Sequence, residues 1–233
     1  MFERGDKLDV VAIDGPSGVG KSTVSRKVAF LLKYAYLDTG AMYRAVGYYL
    51  QNRSIAFENE GDIVSALSSF DIQLFPAKKE EDDVEVFVNG ENISLAIRRP
   101  EMAMIASQVS TVAMVREFLT KLQRSQGRKG KIVAEGRDIG TVVFPQASYK
   151  FFLEAQPEER ARRRFEQLRT KGIVIDYQEV LQQILDRDSN DKNRTIAPLR
   201  MAEDATLIDT TNIKPDKVVS MIVEKVQQGQ KMM

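Results

Sequence analysis

Apolar residues first appear in a short, nearly unbroken run. Leu8–Asp14 (LDVVAID) leads straight into a glycine-rich stretch and reads as a buried strand. From Ser22 to Lys33 the period changes, with Val24, Val28, Leu31 and Leu32 recurring at helical spacing. Tyr34–Leu37 reads as a second strand, and a helix follows from Ala41 to about Leu50. Lys131–Glu135, Tyr149–Leu153 and Thr206–Asp209 are further short strands, most of them separated by helical segments. Strand–helix alternation of this kind predicts an α/β fold, a parallel sheet with helices on both faces.

Two segments break the rhythm. Phe70–Phe75 (FDIQLF) and Val84–Val88 (VEVFV) alternate or nearly so, the polar run KKEEDD at 78–83 lies between them, and Asn89–Gly90 follows. This pattern predicts small antiparallel hairpins inserted in the α/β frame. Pro157–Lys171 is a very basic helix candidate. Residues 178–194 form another, with apolar contacts expected from Val180, Leu181, Ile184 and Leu185. No internal repeat or long linker is evident.

Composition narrows the chemistry. The 34 basic and 33 acidic residues nearly cancel, so nucleic-acid binding is not expected and any anion site must be local. Cysteine and histidine are both absent, which removes thiolate chemistry, Cys-ligated zinc and the commonest general base. Carboxylates, Lys, Arg, hydroxyls and backbone dipoles remain. No run approaches the roughly 20 apolar residues of a membrane span. The opening MFERGDKLDVVAIDG has no long apolar segment, so a cytoplasmic protein with no membrane partner is expected.

Gly15–Ser22 is GPSGVGKS and matches G-x-x-x-x-G-K-[ST] at every defined position, between a strand and a helix. Its glycines let backbone N–H groups turn inward around a phosphate, Lys21 adds a mobile charge, and the Ser22 hydroxyl suits Mg²⁺. Gly15, Pro16, Ser17, Gly18, Val19, Gly20, Lys21, Ser22 and Thr23 are therefore assigned to a nucleoside triphosphate, which the resemblance given below makes ATP.

Three further stretches suggest a second anion site. Asp38 to Arg44 (DTGAMYR) follows the second strand, whose C-terminal end would share the P-loop side of the sheet. Asp38 suits Mg²⁺ through water and Arg44 suits a phosphate, while a helix N-cap with a surface Arg is the plainer alternative. Glu135–Asp138 (EGRD) closes the third strand. There Glu135 suits metal support and Arg137 and Asp138 suit a phosphate and a base edge, against a local Arg–Asp ion pair. On the helix at 178–194, Arg187, Asp191 and Arg194 share one face. Asp186, Asp188 and Lys192 fall mostly elsewhere and are expected to meet solvent.

Four segments, IDGPSGVGKST, LDTGAMYRA, AEGRDIGTVVFP and RDSNDKNRTIAPL, with ASQVSTVAMVR at 106–116, resemble bacterial cytidylate kinases of the nucleoside monophosphate kinase family. The resemblance runs over nearly the whole chain. It implies a P-loop kinase core with a five-stranded parallel sheet, a small antiparallel NMP-binding insert and a helical LID. The whole of 1–233 would be one domain: core at 1–69, 94–156 and 172–233, insert at about 70–93, LID at about 157–171. It also implies transfer of the ATP γ-phosphoryl group to CMP or dCMP with Mg²⁺, by a monomer.

By motif position the family makes Thr39, Arg116 and Asp138 cytosine readers. It sets Ser107, Arg187 and Asp191 around the ribose, and Arg44, Arg137 and Arg194 on the CMP phosphate. Lys21, Arg137, Arg187 and Arg194 would be catalytic. Arg160, Arg163 and Arg164 are LID candidates for the ATP phosphates, unranked. Ser22 is the metal residue, with Glu135 or Asp38 helping through water. Some relatives have Ser at the position of Thr39 and Asp at that of Glu135. Two rivals stand beside this reading: a kinase for UMP, dTMP or shikimate, and a nucleotide-dependent binding protein without catalysis.

Overall fold

The computed structural model describes residues 7–76, 83–170 and 172–231. The polar run at 78–83, apart from Asp83, and Lys171 at the end of the basic helix lie outside the described residues. Strand β1 (Leu8–Asp14) occupies the centre of a five-stranded sheet, between β6 (Ile132–Gly136) and β7 (Ala147–Glu154). Outside them lie β2 (Ala35–Asp38), on β6, and β8 (Thr206–Asp209), on β7. Every pairing is parallel. Parallel strands bury both faces, which is why β1 reads as continuous rather than alternating. Val10 and Ala12 enter one core cluster and Val11 and Ile13 the other, as a period of two requires.

Helix α1 (Lys21–Leu32) and α8 (Pro215–Lys231) supply the second of those clusters through Val24, Val28, Val218 and Ile222. The first contains Met42, Val46 and Leu50 of α2 (Thr39–Gln51), Ile63 of α3 (Glu60–Ser68), Val109 of α4 (Met102–Val109) and Leu119 of α5 (Ala113–Gly127). The predicted strands and helices are all present, with ends displaced by a residue or two. Asp38, for example, caps α2, so that helix starts at Thr39 rather than Ala41.

The inserted segment is a three-stranded antiparallel sheet: β3 (Ile72–Phe75), β4 (Glu85–Val88) and β5 (Glu91–Asn92). Asn89 and Gly90 make its tight turn with φ of 50° and 82°, the positive values that a two-residue hairpin of this hand demands. Val84, Val86 and Val88 join the first core cluster, so the insert is packed as part of the main body.

Helices α6 (Pro157–Thr170) and α7 (Tyr177–Asn193) differ. Ala161, Leu168, Val180 and Ile184 form a small core of their own, with Phe165, Ile173 and Tyr177 around it. Leu185, expected on the packed face, is 41% exposed, because the step from Ile184 turns it about 100° round the helix. Among the described residues no helix is long and apolar enough to cross a membrane.

Register decides where the chemistry goes. Asp38 pairs with Glu135, and Asp14 with Gly136, so the acidic ends of β1, β2 and β6 lie together on the C-terminal edge. In an open α/β sheet that edge is where ligands bind.

Candidate active site

The glycine-rich loop runs hard against β7. A Cβ at Gly15, where φ is 150°, would sit 2.1 Å from the Leu153 carbonyl oxygen. Gly20 begins α1 with φ of 94° and no side-chain cap. The first amides of a helix have no intrahelical acceptor, and its dipole favours an anion there. Ser22 and Thr23 are exposed at this end, while Lys21 is buried and its Nζ donates back to the Pro16 carbonyl at 2.6 Å. Burial holds the Lys21 pKa well below the usual lysine value, and the Arg137 charge adds to this against Glu135, Asp191 and Asp14. A bound polyphosphate would relieve both effects.

The two metal-supporting carboxylates are not equivalent. Asp38 accepts from the Ala41 amide at 2.8 Å with one oxygen and from Arg44 at 3.2 Å with the other. The plainer reading, a cap, therefore holds, but Arg44 is half-buried rather than on the surface. Glu135 is buried, and its Oε1 accepts from the Tyr36 hydroxyl at 2.5 Å. Its Oε2 has no hydrogen-bond partner. Burial and the Asp38 charge push the Glu135 pKa up, against Lys21 and the nearby Ser22 hydroxyl. No group of three or more Asp or Glu side chains suited to a metal occurs among the described residues. A hard cation held by one or two protein oxygens plus substrate phosphates needs none, and Ser22 with the unused Glu135 oxygen fits that pattern for Mg²⁺.

Beyond the loop lies a crowd of cations. Arg187 donates to the Ser17 hydroxyl at 2.7 Å, and its buried Nε has no partner. Burial, then Arg137, with Arg44 and Arg164 contributing, brings its pKa down to about 10 against the pull of Asp191. Arg44 likewise has an unpartnered buried Nε. Arg137 donates to Asp191 at 2.6 Å rather than to its neighbour Asp138, so the local ion pair weighed from the sequence does not form. A buried arginine whose charge is disfavoured by its cationic neighbours, as Arg187 is, suits a receptor for an anion.

Asp138 lies behind this cluster, buried, with one oxygen on Arg116 and the other 3.4 Å from Arg194. Burial pushes its pKa up, against Arg116, Arg194 and Arg137. Arg116 also donates to the Ser110 carbonyl at 3.2 Å and stands 5.6 Å from the Tyr43 ring centroid. Arg194, assigned by motif to the phosphate, divides itself between Asp138, the Ser110 hydroxyl and the Ala197 carbonyl. Thr39, also buried, donates to the Glu135 carbonyl at 2.6 Å. Ser107 is buried on α4, where its carbonyl accepts from the Ser110 hydroxyl.

The three candidate arginines of α6 are now separable. Arg160 is 3% exposed and donates to the Ala155 and Ser17 carbonyls, both at 2.9 Å, and to Asp188 at 2.6 Å. It braces the phosphate loop from behind. Arg163 is held by Glu159 and the Thr210 and Thr211 carbonyls. Arg164 donates only to Gln167 of its own helix, and the charge on Arg44 adds to burial in lowering its pKa. Arg164 is thus the one turned toward the cation cluster. Replacing it with Ala is expected to lower kcat with little change in urea midpoint. Arg160→Ala should cost roughly 3 kcal/mol or more of stability, because it strands a buried carboxylate. Equal midpoints for the two variants would overturn this division.

Asp188 corrects the sequence reading, which set it in solvent. It is buried, since Val180, Ile184, Asp188 and Asp191 fall on one stripe of α7. Sequence reasoning also passed over Tyr36, Tyr43, Ser110 and Asp14. Only Asp14 carried a signal, as an acid ending an otherwise apolar buried strand.

Comparison with known proteins gives the family. Residues 11–228 match the family model described as cytidylate kinase. A cytidylate kinase of Thermodesulfovibrio yellowstonii is 49% identical over 93% of this chain and 97% of its own length. Those of Caldanaerobacter subterraneus (46%; 95% and 96%) and Carboxydothermus hydrogenoformans (45%; 92% and 95%) are similarly related. Among solved structures, a shikimate kinase from Bacteroides thetaiotaomicron aligns over 95% of this chain and 98% of its own, at 11% identity and a TM-score of 0.44.

Proposed function

The chain belongs to the cytidylate kinase family, and from that premise we propose how its residues divide the transfer of the ATP γ-phosphoryl group to CMP or dCMP. The observation that carries the division is the cation cluster. Arg137, Arg44 and Arg164 all act on the buried Arg187 beside the phosphate loop, Arg44 and Arg187 each keep a buried Nε without a partner, and a buried carboxylate, Asp138, stands beyond them.

The loop amides and Lys21 receive the donor's outer phosphates, with Lys21 exchanging the Pro16 carbonyl for a phosphate oxygen. Arg44 and Arg137 hold the acceptor phosphate. Arg187 and Arg164 stabilise charge on the group in transit, and Arg194 joins them only by leaving Asp138. Ser22 and Glu135 would hold Mg²⁺, which supplies charge neutralisation at the donor phosphates when bound. The acceptor oxygen is already ionised near neutral pH. The residues therefore have to orient and neutralise, and a chain without histidine is no obstacle.

Arg116, Asp138 and Thr39 form the base-reading end. Thr39 commits its proton to the Glu135 carbonyl, so it meets the base as an acceptor, which suits the cytosine 4-amino group. Asp191, between Arg137 and Arg194, takes the sugar hydroxyls. Asp191→Ala is expected to lower kcat/KM for CMP more than for dCMP, because only CMP offers a 2′-hydroxyl. Equal losses would mean that Asp191 acts only through its ion pair with Arg137. We read the enzyme as a cytoplasmic monomer working on free nucleotides. Coupled ADP release with CMP, dCMP, UMP, dTMP and shikimate tests the whole reading. CMP and dCMP should dominate. Turnover led by another acceptor, or none with any, would refute it.

A further inference from the structure

We propose that Asp14 is a positioning residue that fixes the base-reading end of the acceptor site from the foot of the phosphate loop. The proposal rests on the base-reading role given above to Asp138. Asp14 closes β1, immediately before Gly15, and is 4% exposed. Its Oδ1 accepts from the Ile139 amide at 2.9 Å and its Oδ2 from the Gly140 amide at 2.8 Å. These amides open a single widened helical turn, Ile139–Val143, whose first N–H groups have no acceptor within it. A carboxylate distant in sequence supplies both acceptors.

The consequence falls on Asp138. The Ile139 amide belongs to the peptide plane that follows Asp138, so pinning that N–H fixes the plane and with it the ψ of Asp138. Its backbone sits at φ −144°, ψ 25°, outside the usual helix and strand values. Only in that setting does the Asp138 side chain meet Arg116 and Arg194. Gly140 packs close by, its would-be Cβ in ordinary contact with Asp14 Oδ2 at 3.4 Å.

A scaffold role alone would not call for an acid here. Burial raises the Asp14 pKa to about 6 despite the two amides, with Asp138 adding to the rise and Lys21 opposing it. A side chain that must accept from two adjacent N–H groups needs two acceptor oxygens. A carboxylate has them, whereas an amide of the same shape sets an NH₂ against one of the donors. Asp14 thus joins the foot of the donor loop to the acceptor's base reader through two hydrogen bonds.

The test uses the full chain carrying Asp14→Asn and, separately, Asp14→Ala, which removes both acceptor oxygens. Both should raise the UMP/CMP ratio of kcat/KM by about 5-fold or more, within the range for loss of one good base contact. KM for CMP should rise while KM for ATP stays within about twofold. A purely structural residue would lower the active fraction and leave the ratio and both KM values unchanged. An unchanged ratio in whichever of the two variants folds overturns the proposal. Failure of the unmodified chain to phosphorylate CMP would sink the underlying reading instead.

Discussion

Replacing Lys21 with Ala is expected to lower kcat by on the order of 10²-fold or more, the usual scale for removing one electrostatic element aimed at a transition state. The fold should survive. Although Lys21 is buried, its ammonium hydrogen-bonds only the Pro16 carbonyl of its own loop. Its pKa is already depressed by burial and by Arg137, so the resting protein gains little from the charge. The same crowding explains why the charge matters during turnover. A cation held in a poorly solvated place, among other cations, interacts strongly with whatever anion arrives. Steady-state kinetics with ATP and CMP, together with a thermal melt, check both halves. Near-normal turnover in a folded variant would refute the role of the loop in phosphoryl transfer.

Asp138→Asn is expected to bring UMP and CMP activities together. Cytosine presents a 4-amino donor where uracil presents a carbonyl. An ionised carboxylate accepts from the first and repels the second, whereas an amide can serve either. A pairing of this type is worth roughly 1–3 kcal/mol of discrimination, or about 5- to 150-fold in kcat/KM. The variant also weakens the hold on Arg116 and Arg194, so overall activity should fall, and the UMP/CMP ratio is the quantity to compare. An unchanged ratio would mean that cytosine is read elsewhere and that Asp138 only holds those two arginines.

How far the sequence could be read depended on the range of the interaction. The phosphate loop was legible because its function is written in consecutive residues, and the strand and helix on either side confirm its setting. The insert was legible from alternation and an Asn-Gly pair. The shared face of Arg187, Asp191 and Arg194 followed from helical spacing, and both arginines lie close to Asp191. What failed was partner choice. Whether Arg137 turns to Asp138 or to Asp191 depends on where α7 lies relative to the end of β6, and no local pattern encodes that placement. Asp188 failed for a related reason. It stands four residues from Ile184, yet its charge sent it to solvent in the sequence reading, because a buried charge there is credible only once Arg160 is known to face it. Asp14 was visible as an anomaly in an apolar strand, but its purpose lay 125 residues away.

The small core between α6 and α7 bears on salt. That pair keeps its own apolar interior, and its polar ties to the rest of the chain include Arg160 and Arg187 on Ser17, Arg137 on Asp191, and Arg163 on the Thr210 and Thr211 carbonyls. Swinging such a unit exposes little oil to water. Its rest position is set by charge and hydrogen bonds, whose strength varies with ionic strength far more than that of buried methyl groups. The seat of this pair should therefore loosen as salt rises, while the sheet beneath keeps its stability.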